Sequence, residues 1–105
     1  MKITDVRVRV LVAPLEKPIV TAFGRMNDRN SAIVEVATNE GIVGIGESWI
    51  NFPHWVADER KATIEKGIKP LLVGEDPRNV SFLWDKMYRC LMGTGRQWGA
   101  KALLL

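Results

Sequence analysis

Val6, Val8, Val10 and Val12 alternate along the chain, with Arg7 and Arg9 between the first three. This period of two predicts a strand with one face buried, and Pro14 is expected to stop it. Residues 15–30 sustain no period, and Pro18, Gly24, Asn27, Asp28 and Asn30 are loop formers. The pattern therefore predicts a long exposed loop, and loops beyond about 12 residues are usually functional or disordered. Residues 31–38 are strand-like again. Asn39, Glu40 and Gly41 make a turn into residues 42–47, with Gly41 able to take a positive φ. The first half of the chain is thus expected to form a three-stranded antiparallel meander.

A second irregular segment follows at 48–53. Residues 54–69 are helix formers, with Asp58 and Glu59 early and Lys66 and Lys69 late, the order the helix dipole favours. Pro70 is expected to end this helix. The next start has Asp76 as N-cap and Pro77 at the first helical position, then Val80, Leu83, Trp84, Met87 and Leu91 spaced as one apolar stripe. A third helical segment is expected from about Gly99, ending in Leu103, Leu104 and Leu105. It lacks a polar closing turn, so a truncated chain or a missing partner segment is expected. The fold class is α+β, a meander followed by a helical bundle.

Composition narrows the picture. With 105 residues, 47% of them apolar and a net charge of 15 − 12 = +3, the chain makes one domain, which buries roughly 65% of the surface its unfolded form exposes. An eight-stranded α/β barrel needs about 250 residues and is excluded for this chain; disorder is disfavoured. The single cysteine, Cys90, cannot close an intrachain disulfide and is expected to be a buried inert thiol on the second helix. The start shows no secretory pattern and no window approaches the roughly 20 apolar residues of a membrane span, so a cytoplasmic protein that does not enter membranes is expected. The pI near 9.3 does not predict nucleic-acid binding, because Lys61 and Lys66 sit among Asp58, Glu59 and Glu65.

Candidate chemistry is sparse. Gly44 and Gly46 suggest a dinucleotide loop, but the third glycine of that fingerprint would fall at Trp49. A turn and close packing of a short strand explain these glycines better. Gly93, Gly95 and Gly99 lack the ending of a phosphate loop, although Arg96 could meet an anion. His54 is the single histidine, so a site built on several imidazoles is excluded. The acids show no paired spacing for metal binding or acid–base work. No catalytic residue and no metal ligand is therefore expected on this chain. There remain the two irregular segments, 15–30 and 48–55, carrying Phe23, Arg25, Met26, Arg29, Trp49, Asn51, Phe52, His54 and Trp55. Aromatics held in loops suit a ligand lid; cover for the sheet edge is an equal alternative.

Several stretches in this order carry a resemblance: the opening Met-Lys-Ile-Thr-Asp-Val-Arg-Val strand, Thr21-Ala-Phe-Gly24, Val34-Glu-Val36, the hairpin from Gly41 to Glu47, residues 70–77 from Pro70 to Pro77, Leu83-Trp84 and Met87-Tyr88-Arg89. Together they resemble the N-terminal capping domain of the mandelate racemase/muconate lactonizing enzyme branch of the enolase superfamily, over essentially the whole chain. The resemblance implies a cap over a modified (β/α)₇β barrel. That barrel carries the Mg²⁺ ligands and the bases that abstract a proton α to a carboxylate, and it is absent from this chain.

In that family two cap loops close the site and set substrate specificity. Position by position, the resemblance makes Thr21, Phe23, Arg25, Met26, Asn51 and His54 substrate contacts and lets Trp49 shape the pocket, with no metal ligand among them. The expected partners are a small carboxylate or sugar acid, the protein's own C-terminal barrel, and further copies in a homo-oligomer. The function implied is that of a Mg²⁺-dependent sugar-acid dehydratase, racemase or cycloisomerase, with the 105-residue chain alone inactive. The alternative is a stand-alone binding or assembly module.

Overall fold

The computed structural model describes residues 1–22, 24–50, 53 and 55–92. Val6 and Val8 are buried and Arg7 and Arg9 are exposed, as their alternation requires. Strand β1 (Ile3–Thr21) pairs antiparallel with β2 (Gly24–Thr38), and β2 with β3 (Val43–Trp49), so that β2 is central in a three-stranded sheet. Val6 lies opposite Val36, Val8 opposite Val34, and Ala32 opposite both Val10 and Ser48. Because side chains alternate across a sheet, these residues share the face that meets the helices. At the turn into β3, Gly41 has φ +77°, where a Cβ would be strained. The Thr38 amide and hydroxyl both donate to the Ile42 carbonyl.

The helical half starts at α1 (Val56–Ala62), passes through a π-helical stretch (Thr63–Ile68) into α2 (Lys69–Leu72), and ends with α3 (Val80–Met92). Val56, Ile64, Ile68, Leu72, Leu83 and Leu91 meet Ile3, Val6, Val8, Ala32 and Ile50 in one core. The outer edge of β1 is covered from this side. The Val8 amide donates to Glu65 Oε1 at 3.3 Å, the Gly74 amide to the Ile3 carbonyl at 2.8 Å, and the Ile3 amide to the Glu75 carbonyl at 2.8 Å.

Four expectations are corrected. The loop at 15–30 is a β-hairpin arm: β1 runs on to Thr21 and β2 begins at Gly24, with a register shift between Pro14 and Ile19. None of the arm's described residues from 13 to 29 belongs to the core or packs against it, so no hydrophobic period marks it. Pro14 and Pro18 are tolerated because β1 is an edge strand with a bulge there. The first helix starts at Val56 and continues past Pro70 to Leu72, because Pro70 falls in the first turn of α2, where its missing N–H costs least. The change of turn is absorbed by the π-helical stretch before it.

Asp76 caps a separate turn and not α3. Its carboxylate accepts from the Arg78 amide at 2.9 Å, its carbonyl accepts from the Asn79 amide, and α3 starts only at Val80. Cys90 is exposed, since only Leu83 and Leu91 of α3 turn fully inward, with Met87 half-buried. In addition, a Cβ built on Gly44 or Gly46 would meet nothing within 4 Å, so close packing does not explain these two glycines. The third helix expected at 99–105 lies outside the described residues.

Candidate functional site

The arm and the end of β3 define the site region. At the arm's tip Thr21 pairs with Gly24, the Thr21 hydroxyl donates to the Gly24 carbonyl at 3.1 Å, and Gly24 takes φ 142°. Arg25 lies opposite Val20 and Met26 opposite Ile19. Arg25 is exposed and its Nε donates to Asn27 Oδ1 at 3.2 Å, whereas Met26 is half-buried. Phe23 lies outside the described residues. Further down the arm, Asn30 donates to Asp28 Oδ1 at 2.9 Å and is buried.

The second segment leaves the sheet at Trp49. Ser48 and Ile50 are buried at 3% and 0% exposure, while Trp49 between them is 60% exposed. Arg60 on α1 donates from Nη1 to Ser48 Oγ at 2.8 Å. On the far side the Pro53 carbonyl accepts from the Val56 amide, and Val56 is buried. Both roots of this segment are therefore anchored in the core. Asn51 and His54 lie outside the described residues.

Register brings the two roots together. Ser31 pairs with Leu11 on one side and Trp49 on the other, so the base of the arm and the end of β3 meet on the sheet face away from the helices. A hollow of about 300 Å³ lies there, lined by Leu11, Val12, Ala13, Arg29, Asn30, Ser31 and Glu47. The tip residues are not brought to it: Arg25 is six residues from Ser31 along an extended strand, a distance of about 20 Å at roughly 3.3 Å per residue. Glu47 was not marked by sequence reasoning. Its signal was an acid at an outward position of a strand, and it forms no ion pair among the described residues.

The described residues of this region put an exposed carboxylate, Glu47, and a cation, Arg29, at one hollow, where a polar ligand could sit. Among the described residues no three of His, Cys, Asp and Glu converge as metal donors, so the Mg²⁺ implied by the resemblance does not fit these residues. Displaced titrations lie at the helical side instead. A hydrogen bond from Lys69 holds the Asp5 carboxyl below its ordinary value, and Arg78 does the same to Asp76, which in turn raises Arg78. No helix among the described residues is long and apolar enough to cross a membrane.

With this geometry in place, comparison with known proteins is decisive. The family described as mandelate racemase / muconate lactonizing enzyme, N-terminal domain, matches residues 3–103. The chain belongs to that family.

Among relatives of this chain, an N-succinyl-L-Arg/Lys racemase of Bacillus cereus is 31% identical over 96 residues, covering 89% of the chain and 26% of the relative. A chloromuconate cycloisomerase of Pseudomonas putida is 34% identical over 108 residues, covering 99% and 28%. An arabinonate dehydratase of Saccharolobus solfataricus is 43% identical over 63 residues, covering 60% and 16%. The chain thus spans about a quarter of the length of the first and second of these relatives. A solved structure of N-succinyl Arg/Lys racemase from Bacillus cereus superposes with a TM-score of 0.73 at 31% identity, covering 86% of this chain and 25% of that one. A racemase from Streptomyces coelicolor, solved with bound magnesium, shares the fold with a TM-score of 0.79 at 22% identity, covering 90% and 26%.

Proposed function

We propose that this chain is the substrate-specificity cap of a Mg²⁺-dependent enolase-superfamily enzyme. That enzyme abstracts a proton α to a carboxylate and then eliminates, reprotonates or cyclises, with sugar-acid dehydration favoured. The carrying observation is the family match over residues 3–103, joined to a geometry in which the base of the arm and the end of β3 lie side by side on the sheet. Small acids or their derivatives name the relatives' reactions: N-succinyl-amino acids, arabinonate and chloromuconate.

In this reading the barrel of the complete enzyme holds the metal and the bases. The cap's own residues bind and exclude water: Arg25 supplies positive charge to a carboxylate, and Thr21, Asn51 and His54 supply hydrogen-bonding groups. Phe23, Met26 and Trp49 supply an apolar wall that strengthens those contacts by keeping water out. The +3 charge of the chain, with Arg25 and Arg29 exposed on the arm, adds attraction for anionic substrates.

The test is turnover of a panel of sugar acids, N-succinyl-amino acids and muconates with Mg²⁺. The 105-residue chain is expected to be inactive, and the same chain joined to a (β/α)₇β barrel active. Mg²⁺-dependent turnover by the chain alone would overturn the assignment of its chemistry to another domain. A second reading, an assembly module, is favoured by the exposure of Val80 and Phe82 on α3 at 68% and 57%. Light scattering decides it: a monomer at high concentration argues against self-assembly.

A further inference from the structure

Strand β3 is an edge strand with an unusual weakness. Of its seven residues only Ser48 is buried. At the core-facing positions opposite Val36 and Val34 it carries Gly44 and Gly46, which offer no side chain to the core. Outward it shows Val43 and Ile45, exposed at 48% and 75%. Which face of a strand points inward is normally set by its buried side chains, and a slip of one residue exchanges the two faces; glycine-rich strands specify register weakly. In β3 that decision falls on its last turn of pleat, where Ser48 points to the helices and Trp49 to the opposite side.

The bond from Arg60 Nη1 to Ser48 Oγ joins this point to α1. Its donor is a half-buried cation and its acceptor sits at 3% exposure, so the contact is charge-assisted and shielded from competing water. Sliding β3 by one residue would put Glu47 or Trp49 where Ser48 stands: Trp49 would leave Arg60 without its partner, and Glu47 would bring a second ionised group into a site of 3% exposure, and either change costs free energy.

We propose that Arg60 is a positioning residue: acting through Ser48, it locks the face of β3 and so holds Trp49 beside Ser31, which lines the hollow at the base of the arm. The role for substrate rests on the cap reading above; the lock itself does not. Trp49 is largely exposed, so its place is set by its inward neighbours: Ser48, bonded to Arg60 within the strand, and the fully buried Ile50 just beyond it.

Amide hydrogen exchange and cross-strand proton contacts on the 105-residue chain test the lock directly. In Arg60→Ala and Ser48→Ala, protection at residues 43–49 should fall at least about tenfold, the scale of a lost charged hydrogen bond. Contacts between Ser31 and Trp49 should weaken while β1–β2 amides keep their protection, and Arg60→Lys should restore part of the loss. In the same chain joined to its barrel, assayed with N-succinyl-L-arginine, arabinonate and chloromuconate, Arg60→Ala should raise KM on the order of tenfold with kcat per folded molecule little changed. Unchanged protection at 43–49, or a uniform loss across all strands, overturns the lock and leaves the cap reading standing. Loosened β3 with unchanged KM for an acid that is turned over overturns the positioning role and, with it, the place of Trp49 in the substrate pocket.

Discussion

Asp5 and Asp76 show how single residues of this chain report on its folding. Lys69 lies 2.6 Å from Asp5, and Arg78 meets Asp76 at 2.7 Å, so both carboxyls are held below their ordinary value of 3.8. Below that value the unfolded chain takes up protons that the folded chain refuses. The stability these pairs contribute is therefore complete above about pH 4 and is lost as pH falls through the folded values. The melting temperature should fall modestly as pH drops from about 4 to 2, and Asp76→Asn should lower it slightly at pH 7 while flattening the fall, as thermal scans across pH would show. Gly41→Ala should cost about 1 kcal/mol in chemical denaturation, because the loss comes from φ +77° and not from contacts, an added Cβ meeting nothing within 4 Å. At this scale the valines of β1 were legible because burial on one face forces alternation. Cys90 was not, because its helix turns only Leu83 and Leu91 fully inward, and a lone apolar thiol carries no periodicity of its own.

Among elements, the meander and the helices were readable and the arm was not. A strand announces itself in sequence through the face it buries, and beyond residue 12 β1 buries none: Val20 at the arm is 78% exposed. Backbone pairing and short polar bonds such as that from the Thr21 hydroxyl to the Gly24 carbonyl hold the described arm residues together, and pairing permits many residue patterns, even prolines at a bulge. The contrast has an energetic consequence. Ile50→Ala should cost about 2–5 kcal/mol, as expected for a fully buried aliphatic side chain. Val20→Ala should stay within about 0.5 kcal/mol, and urea denaturation of the two variants checks both. Pro70 was misread for a related reason: a proline stops a helix only in its interior, and the π-helical stretch puts it in a new first turn.

At the scale of the whole molecule, the family was legible in the order of short stretches from the first strand to α3, no one of them sufficient, and the match over residues 3–103 bears it out. The site was legible in part. Sequence marked the segments that carry Arg25, Met26 and Trp49, but not that pairing of Ser31 with Leu11 and Trp49 would seat the root of the arm against the end of β3. Long-range register of that kind leaves no local signature. Ser48 and Arg60 escaped notice likewise, twelve residues apart and joined only in three dimensions.

The central claim is that this chain selects the substrate and another domain performs the chemistry. The most direct measurement is substrate preference and Mg²⁺ affinity side by side, in a protein carrying this cap and its barrel, for Arg25→Ala and His54→Ala. The ratio of kcat/KM between acids should shift by about tenfold or more in each variant, with Mg²⁺ affinity by titration calorimetry unaltered. An unchanged preference, or a loss of Mg²⁺ binding in either variant, would contradict the account.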